Sequence, residues 1–431
     1  MDQPTPKKPN TPTVSRVIGD TLVELVLNPS TNETALVVSR FDGLWNIEKE
    51  VTIGKETLVP YSARNNLIAH RCVLLPSEPM DSGTKNELLA DIQAFLHRYV
   101  DLTPAFERIA SYYVLLSWLY DAFAEVPYLR LRGDFGTGKT RGLIAIGSLC
   151  YKPFFAAGAS TVSPIFHTLD RFGATLVLDE SDLRFSDATA DLVKVFNNGN
   201  VKGLPVLRTI QNRDKEFNPV AFSVFGPKII AMRGSFEDEA LESRFITEET
   251  GGRSLRSDIP VNVPDRLHDE ALLLRNRLLH FRVSTFFKIQ PASDRALLEL
   301  DPRQNQIGLP LLTLADNADD QAIIRDVLLR QQRETRERKA QTLEGLVLSA
   351  LIDAVAQEPD KSVSVQAVTD RTNVTLEKAG QPPLRPRRVG GILRSRLQLN
   401  ARKSNGNYVI EIDRERLTNL GKRFGVDVPE F

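Results

Sequence analysis

Residues 128–140, YLRLRGDFGTGKT, run a short alternating strand straight into a GxxxxGK[ST] sequence, from Gly133 through Gly138 and Lys139 to Thr140. No other feature constrains the chain as tightly. The glycines, with Gly136 and Thr137 inside the turn, let backbone N–H groups curl around phosphate oxygens, and the following helix directs its positive end at them. Lys139 supplies a fixed cation, and the Thr140 hydroxyl takes a position on Mg²⁺. A strand before the loop and the helical RGLIAIGSLCY after it complete the context such a loop requires. The expectation is a nucleotide site in an α/β domain.

Ala174–Glu180, ATLVLDE, supplies the second half of that site. An apolar, β-favouring run ends in two acids, as in a buried parallel strand that stops at the ligand edge of a sheet. Asp179 is the expected Mg²⁺ partner, through water. Glu180 is placed to polarise the attacking water as a general base. An ordinary strand end with solvated acids is the alternative, but the loop upstream lies at a distance suited to a βαβ crossover. Adjacent Asp and Glu favour hydrolysis over transfer to a small acceptor, so ATP and Mg²⁺ are the expected cofactors.

Further along, residues 226–250 read GPKIIAMRGSFEDEALESRFITEET. Lys228–Met232 make a short buried strand, and Arg233, just past it, is expected to face the γ-phosphate. Arg244 follows on a short helix, where ring ATPases present an arginine to the neighbouring subunit. A surface pair with Glu242 or Glu248 is the competing role for Arg244. Before this segment, Leu204–Ile210 and Phe217–Phe225 alternate around the polar tip Gln211–Lys215, which reads as a β-hairpin with a multi-residue loop.

The order of phosphate loop, LDE, short strand and Ser243-Arg244-Phe245 resembles the AAA+ fold. SRF in particular resembles the arginine-finger motif of MCM-type replicative helicases and of MCM-like helicases from bacterial mobile elements. The superfamily 3 helicases of viruses and phages are a looser match. The likeness covers residues 84–330 and, by architecture only, the C-terminus. Two departures stand out. Met232-Arg233 occupy the place where the family usually has Asn as its first sensor. Gly158 to Gly173 leaves room for one helix, without the long insertion of MCM proteins.

The resemblance implies an ATP-driven homo-oligomeric ring, a hexamer, that translocates on single-stranded or forked DNA and unwinds it during replication of a phage, plasmid or mobile element. It implies that Arg213 and Lys215 at the hairpin tip grip the phosphodiester backbone, with Lys202 helping near the base. It also implies a second sensor arginine at the start of the helix in DPRQNQIGLPLLTLA; Arg303 is the candidate, and Arg275 and Arg277 compete with it.

Composition sets the rest. The 431 residues carry 55 Lys+Arg against 55 Asp+Glu, so any hold on nucleic acid must come from local clustering. Cys72 and Cys150 lie far apart with no His at ligand spacing, which gives neither a disulfide framework nor a Cys-rich zinc site and fits a reducing cytoplasm. Residues 1–13 have no apolar core and do not read as a signal peptide. Tyr112–Tyr120, the longest apolar stretch, is too short to span a bilayer, so no membrane is expected. Its aromatic residues read as core rather than as a base-stacking platform.

The expected organisation is a disordered tail (1–13), a β-rich domain (14–80), an ATPase domain with helical lead-in and helical lid (84–330), a linker (331–341) and a winged helix (342–431). In the last, a helix, a brief strand, a second helix and the basic LRPRRVGGILRSRLQL precede an Asn405-Gly406 hairpin. From Lys378 to Ile410 there are eight Lys/Arg and no Asp or Glu. Arg387, Arg388, Arg394 and Arg396 are the recognition-helix candidates, with Arg402 and Lys403 on the wing. Two other classes compete with the helicase: an AAA+ initiator or loader that binds DNA without unwinding it, and an enhancer-type transcription activator. The latter carries a GAFTGA loop, which residues 141–178 lack.

Overall fold

A computed structural model describes residues 10–158, 160–179, 187–211, 217–236, 238–358, 362–404 and 407–429. They fall into two compact units, one ending at Leu328 and one beginning at Leu329.

In the first unit, Ser15–Ile18, Thr21–Asn28, Glu33–Arg40 and Trp45–Glu48 form an antiparallel meander. A second small sheet pairs Asn10–Thr13 parallel to Glu56–Pro60, with Val51–Ile53 on its other side. The strand at Asn10–Thr13 corrects the tail boundary, because Pro12 pairs with Val59 where a disordered segment had been expected to run to residue 13. Nor is the β-rich segment a separate body. Val23, Leu25 and Leu36 share one buried cluster with Tyr128, Phe154 and Leu176 of the main sheet.

Helix α1, Lys85–Tyr99, opens with a capping box in which Thr84 and Glu87 satisfy each other's backbone N–H groups. Helix α2, Pro104–Ser117, begins after the Thr103 cap with proline in its first turn. Tyr112, Tyr113 and Trp118 are fully buried, as their core assignment required. Each such side chain stabilises the fold by about 2 kcal/mol relative to exposure.

The main sheet has five parallel strands: β1 Tyr128–Arg132, β2 Phe154–Ala157, β3 Leu176–Asp179, β4 Lys228–Met232 and β5 Phe245–Glu249. Their spatial order is β5-β1-β4-β3-β2. The near-continuous burial of β1, β3 and β4 follows from helices covering both faces. Helix α3, Lys139–Leu149, leaves the phosphate loop after β1, and helix α4, Asp187–Asn198, precedes the hairpin. The hairpin pairs Val206–Gln211 with Phe217–Phe222 in unbroken register. Helices Arg266–Thr285 and Pro302–Leu314 follow the sheet.

A buried charge cluster ties the meander to the sheet. The Glu24 carboxylate accepts from Lys152 Nζ at 2.6 Å, Arg282 Nε at 2.7 Å and the Tyr151 hydroxyl at 2.8 Å. Burial alone would raise the Glu24 carboxyl, but the Lys152 and Arg282 cations outweigh it and hold it down at about 2.

Residues 331–340 continue the helix Ala318–Ala340, so the expected linker is mostly helical. The second unit then runs helix Leu343–Gln357, strand Val363–Ser364, helix Val365–Lys378, helix Pro386–Gly391 extended by a π-turn at Ile392–Arg396, strands Ala401–Ser404 and Asn407–Ile410, and helix Arg414–Phe424. Its own buried core gathers Val347, Leu351, Val368, Val389, Leu393 and Leu417.

Candidate functional site

The carboxyl ends of β1, β4 and β3 lie side by side, and the loop expected to hold phosphate sits there. Gly133 donates its backbone N–H to the Met232 carbonyl at 3.3 Å, which seats the start of the loop against the end of β4. Gly136 and Gly138 have φ of 72° and 84°, a left-handed conformation that glycine adopts without steric cost. Gly133 is required for a different reason. A Cβ there would collide with the hydroxyl and carbonyl of Thr250. Lys139 begins α3 and donates from Nζ to the Asp134 carbonyl across the loop. Burial, and then the neighbouring Arg233 cation, hold its ammonium below the ordinary lysine value.

Thr140 Oγ1 donates to Asp179 Oδ2 at 2.7 Å. This brings together the two side chains expected to hold Mg²⁺. Two hard oxygens at one edge of a sheet suit a small octahedral cation that takes few protein ligands and keeps several waters. Among the described residues no cluster of three or more His, Cys, Asp or Glu could hold a metal by itself. Glu180 lies outside the described residues, although it directly follows Asp179. Arg233 emerges from β4 between the phosphate loop and Asp179, with its guanidinium over the Phe135 ring.

Arg244 occupies the other edge of the sheet. It immediately precedes β5, whose Phe245 pairs with Tyr128 at the start of β1, and its carbonyl accepts from the Tyr128 N–H at 3.0 Å. The phosphate loop begins five residues further along β1, about 16 Å away at strand rise. Arg244 therefore cannot reach its own chain's phosphate loop. The ion-pair alternative also fails: Glu242 is taken by Arg130, with Nη2 donating at 2.8 Å, and Glu248 accepts from the Thr103 hydroxyl at 2.8 Å. Arg244 instead donates to Asn200 Oδ1 at 2.8 Å, Asn197 Oδ1 at 2.6 Å and the Ala240 carbonyl at 2.7 Å. Burial, and then the cation of Arg303, lower its guanidinium from the ordinary value.

Arg303 thus lies beside Arg244 and within 4.0 Å of Glu125, which precedes β1, and not at the phosphate loop of its own chain. Its expected place at the cofactor is corrected to that extent. The competitors fare no better. Arg275 is buried with Nη1 donating to the Ser148 carbonyl at 2.7 Å, and Arg277 binds Asp91 and the Ser82 carbonyl.

Of the expected DNA contacts, Lys202 donates to the Asp121 carbonyl at 2.9 Å, below the hairpin strands, and Arg213 and Lys215 lie outside the described residues. Arg387, Arg388, Arg394, Arg396, Arg402 and Lys403 are all exposed. They do not share one face. Arg387 and Arg394 line a cleft beside the 401–410 hairpin, whereas Arg396 approaches Glu344 at 4.0 Å.

Four residues shape the site without belonging to any of its motifs. Thr250 lies 2.7 Å from the Thr137 hydroxyl and braces the phosphate loop from the end of β5. Beside it is a cavity of about 220 Å³ lined by Asp101, Thr137, Glu248, Thr250 and Arg253. Asn197 and Asn200 hold Arg244, and the one visible signal was the unusual NNGN run closing α4. Lys228 is fully buried and donates to the carbonyls of Gly199 at 3.2 Å, Val224 at 2.7 Å and Gly226 at 3.0 Å. Burial alone pulls its ammonium well below the ordinary value.

No described helix is long and apolar enough to cross a membrane. No protein-family model matches the chain, and no curated protein matches it. Among solved structures it is similar to the apo A form of the NrS-1 C-terminal region, at 10% identity and a TM-score of 0.37 over 90% of this chain and 95% of that one. It is also similar to the Aeropyrum pernix ORC1 protein in complex with DNA, at 12% identity and a TM-score of 0.23 over 77% and 95%. For Cdc6p from Pyrobaculum aerophilum the figures are 13% and 0.18 over 80% and 94%. These likenesses are distant, and what the site does follows from its own geometry.

Proposed function

We propose that the chain is an AAA+-type, Mg²⁺-dependent ATPase that works as a ring, a hexamer, and moves along DNA to unwind it in replication. The observation that carries this reading is the division of the chemistry between the two edges of one parallel sheet. Lys139 and the Thr140–Asp179 pair stand at the carboxyl edge, and Arg244 stands at the amino edge, out of reach of its own loop. Such a molecule completes a site only when a second copy brings its amino edge to the first copy's phosphates.

In this reading Lys139 and the loop N–H groups hold the β- and γ-phosphates, and Thr140 and Asp179 hold Mg²⁺, which supplies charge neutralisation on the phosphate oxygens when bound. Glu180 orients and deprotonates the attacking water, Arg233 senses the γ-phosphate, and Arg244 with Arg303 from the neighbour offsets charge in the transition state. The movement has a path. Arg244 is bonded to Asn197 and Asn200, which directly precede the 206–222 hairpin, so a change at the neighbour's phosphates reaches the element that carries Arg213 and Lys215. The second unit, with the element order of a winged helix, adds a DNA-binding surface.

A second reading, an initiator or loader that binds DNA and uses ATP only to assemble, draws on the three in-chain hydrogen bonds of Arg244. A finger held that firmly needs a partner to release it, which favours slow turnover.

ATP turnover measured with and without single-stranded and forked DNA, with a labelled fork in the same tube, separates the two. Stimulated turnover and strand release, both lost in Lys139→Ala, are the expected result. Slow turnover indifferent to DNA, with the fork intact, transfers the chain to the second reading.

A further inference from the structure

Beside the 401–410 hairpin of the second unit lies a cleft of about 430 Å³, within the usual range of small-ligand sites, about 300–1,000 Å³. Its walls are helix Pro386–Gly391 and its π-turn on one side and the strand Asn407–Ile410 on the other. Arg387, Gly390, Arg394, Asn407 and Tyr408 line it, and among the described lining residues none carries a carboxylate.

Tyr408 is an aromatic residue left 54% exposed on a strand whose next two residues, Val409 and Ile410, are buried. The Arg394 guanidinium carbon lies 6.0 Å from its ring centroid. Lys403 pairs directly with Tyr408 across the strands, so it projects from the same face. Gly390 is buried and also lines the cleft, and a Cβ there would lie 3.4 Å from the Val365 side chain on the cleft's other lining helix.

We propose that this cleft binds one unpaired nucleotide of a DNA strand, with the base stacked on Tyr408 and its phosphate held by Arg387, Arg394 and Lys403. The site rests on the DNA-binding part of the reading above and adds the kind of DNA. A duplex hides the faces of its bases in the stack and offers only their edges in the grooves. A ring face flanked by cations has no use for those edges. It suits a base that has left the stack, with charge alongside for the backbone.

The test uses the full chain without ATP and two labelled oligonucleotides of equal length, one of thymidines and one abasic throughout. Both carry the same phosphates. Tyr408→Ala is expected to bind the thymidine strand about tenfold more weakly, the size of one base–aromatic stack, and to bind the abasic strand as the unaltered protein does. Tyr408→Phe is expected to bind both strands normally, which shows that the hairpin still folds and that the ring carries the effect. Arg394→Gln is expected to weaken both strands alike. Equal affinities of Tyr408→Ala and unaltered protein for the thymidine strand overturn the cleft site while leaving DNA binding elsewhere intact. Absence of binding to either strand overturns both the cleft site and the DNA-binding reading. Displacement of the strand by a free mononucleotide at comparable concentration assigns the cleft to a soluble nucleotide and overturns the strand proposal.

Discussion

Lys228 and Arg233 bracket the single strand β4: Lys228 opens it with its ammonium on three carbonyls at the hairpin base, and Arg233 follows its last residue beside the phosphate loop. Five buried residues of a central strand join the two ends, and a strand hydrogen-bonded on both sides transmits displacement rather than absorbing it. The phosphate-loop end and the hairpin end of β4 are therefore joined by one element, which in the proposed function links the nucleotide to the DNA. Lys228→Met keeps the length of the side chain but leaves the Gly199, Val224 and Gly226 carbonyls without their donor. Stability is expected to fall by about 2–4 kcal/mol, from unsatisfied buried acceptors, with turnover in the absence of DNA retained and its stimulation by DNA lost. A urea midpoint and a paired turnover assay read both. Stimulation that survives the substitution breaks the proposed link between β4 and the hairpin.

Arg244 makes a second test, because it lies away from its own phosphate loop and the proposed ring gives it a neighbour's site to act on. Arg244→Ala is expected to lower turnover by about 10³-fold or more, the usual contribution of an arginine finger. Lys139→Ala alone should be equally inactive. Mixed together, the two variants form some interfaces with an intact loop on one side and an intact arginine on the other, so activity should return in proportion to those interfaces. Turnover that stays flat across all mixing ratios removes Arg244 from the neighbour's site.

The assignment of Glu180 separates binding from chemistry. Glu180→Gln leaves Lys139, Thr140 and Asp179 in place and removes only the base. The variant is expected to bind ATP as tightly as the unaltered protein and to hydrolyse it at least about 10²-fold more slowly, the usual weight of general-base assistance. Equilibrium binding of a fluorescent ATP analogue with a single-turnover assay distinguishes the two effects. Undiminished hydrolysis would return Glu180 to an ordinary acidic strand end.

What the sequence made legible was local. GxxxxGKT and LDE each encode their own geometry, the first through glycines at left-handed positions and the second through an apolar run that must be buried, so Lys139, Thr140 and Asp179 came together as expected. EALESRF reads as a short helix carrying Arg244, but the helix ends at Glu242 and Arg244 stands between it and β5. Relationships across the sheet were not legible, because register and strand order are tertiary facts. Nothing in the sequence near Arg303 says that it ends beside Arg244 and Glu125 rather than at the phosphates. Thr250 and Lys228 act through close approach to Gly133 and Gly199, contacts that no spacing rule reports. The meander's turn signals are self-contained and mark it as a separate domain, yet Glu24 needs Lys152 and Arg282, residues more than a hundred positions away.

That charge cluster supplies a pH prediction. Glu24 holds a carboxyl at about 2 in the folded protein against an ordinary 4.5. The folded state therefore binds fewer protons than the unfolded chain between those values, and the stabilisation is complete above about 4.5 and lost as pH falls toward 2. The linkage corresponds to roughly 3 kcal/mol at neutral pH. Glu24→Gln leaves the Lys152 cation buried without its anion, while Arg282 keeps its pair with Asp121 at 2.8 Å; breaking a buried pair in this way typically costs about 3–5 kcal/mol. At pH 7 the variant should melt well below the unaltered protein. On acidification the unaltered protein loses the anion as well, so the gap between the two melting temperatures should narrow steadily from pH 5 to the lowest pH at which both still fold. A gap that stays constant over that range assigns the acid sensitivity to other carboxylates and leaves the Glu24 cluster with a packing role alone.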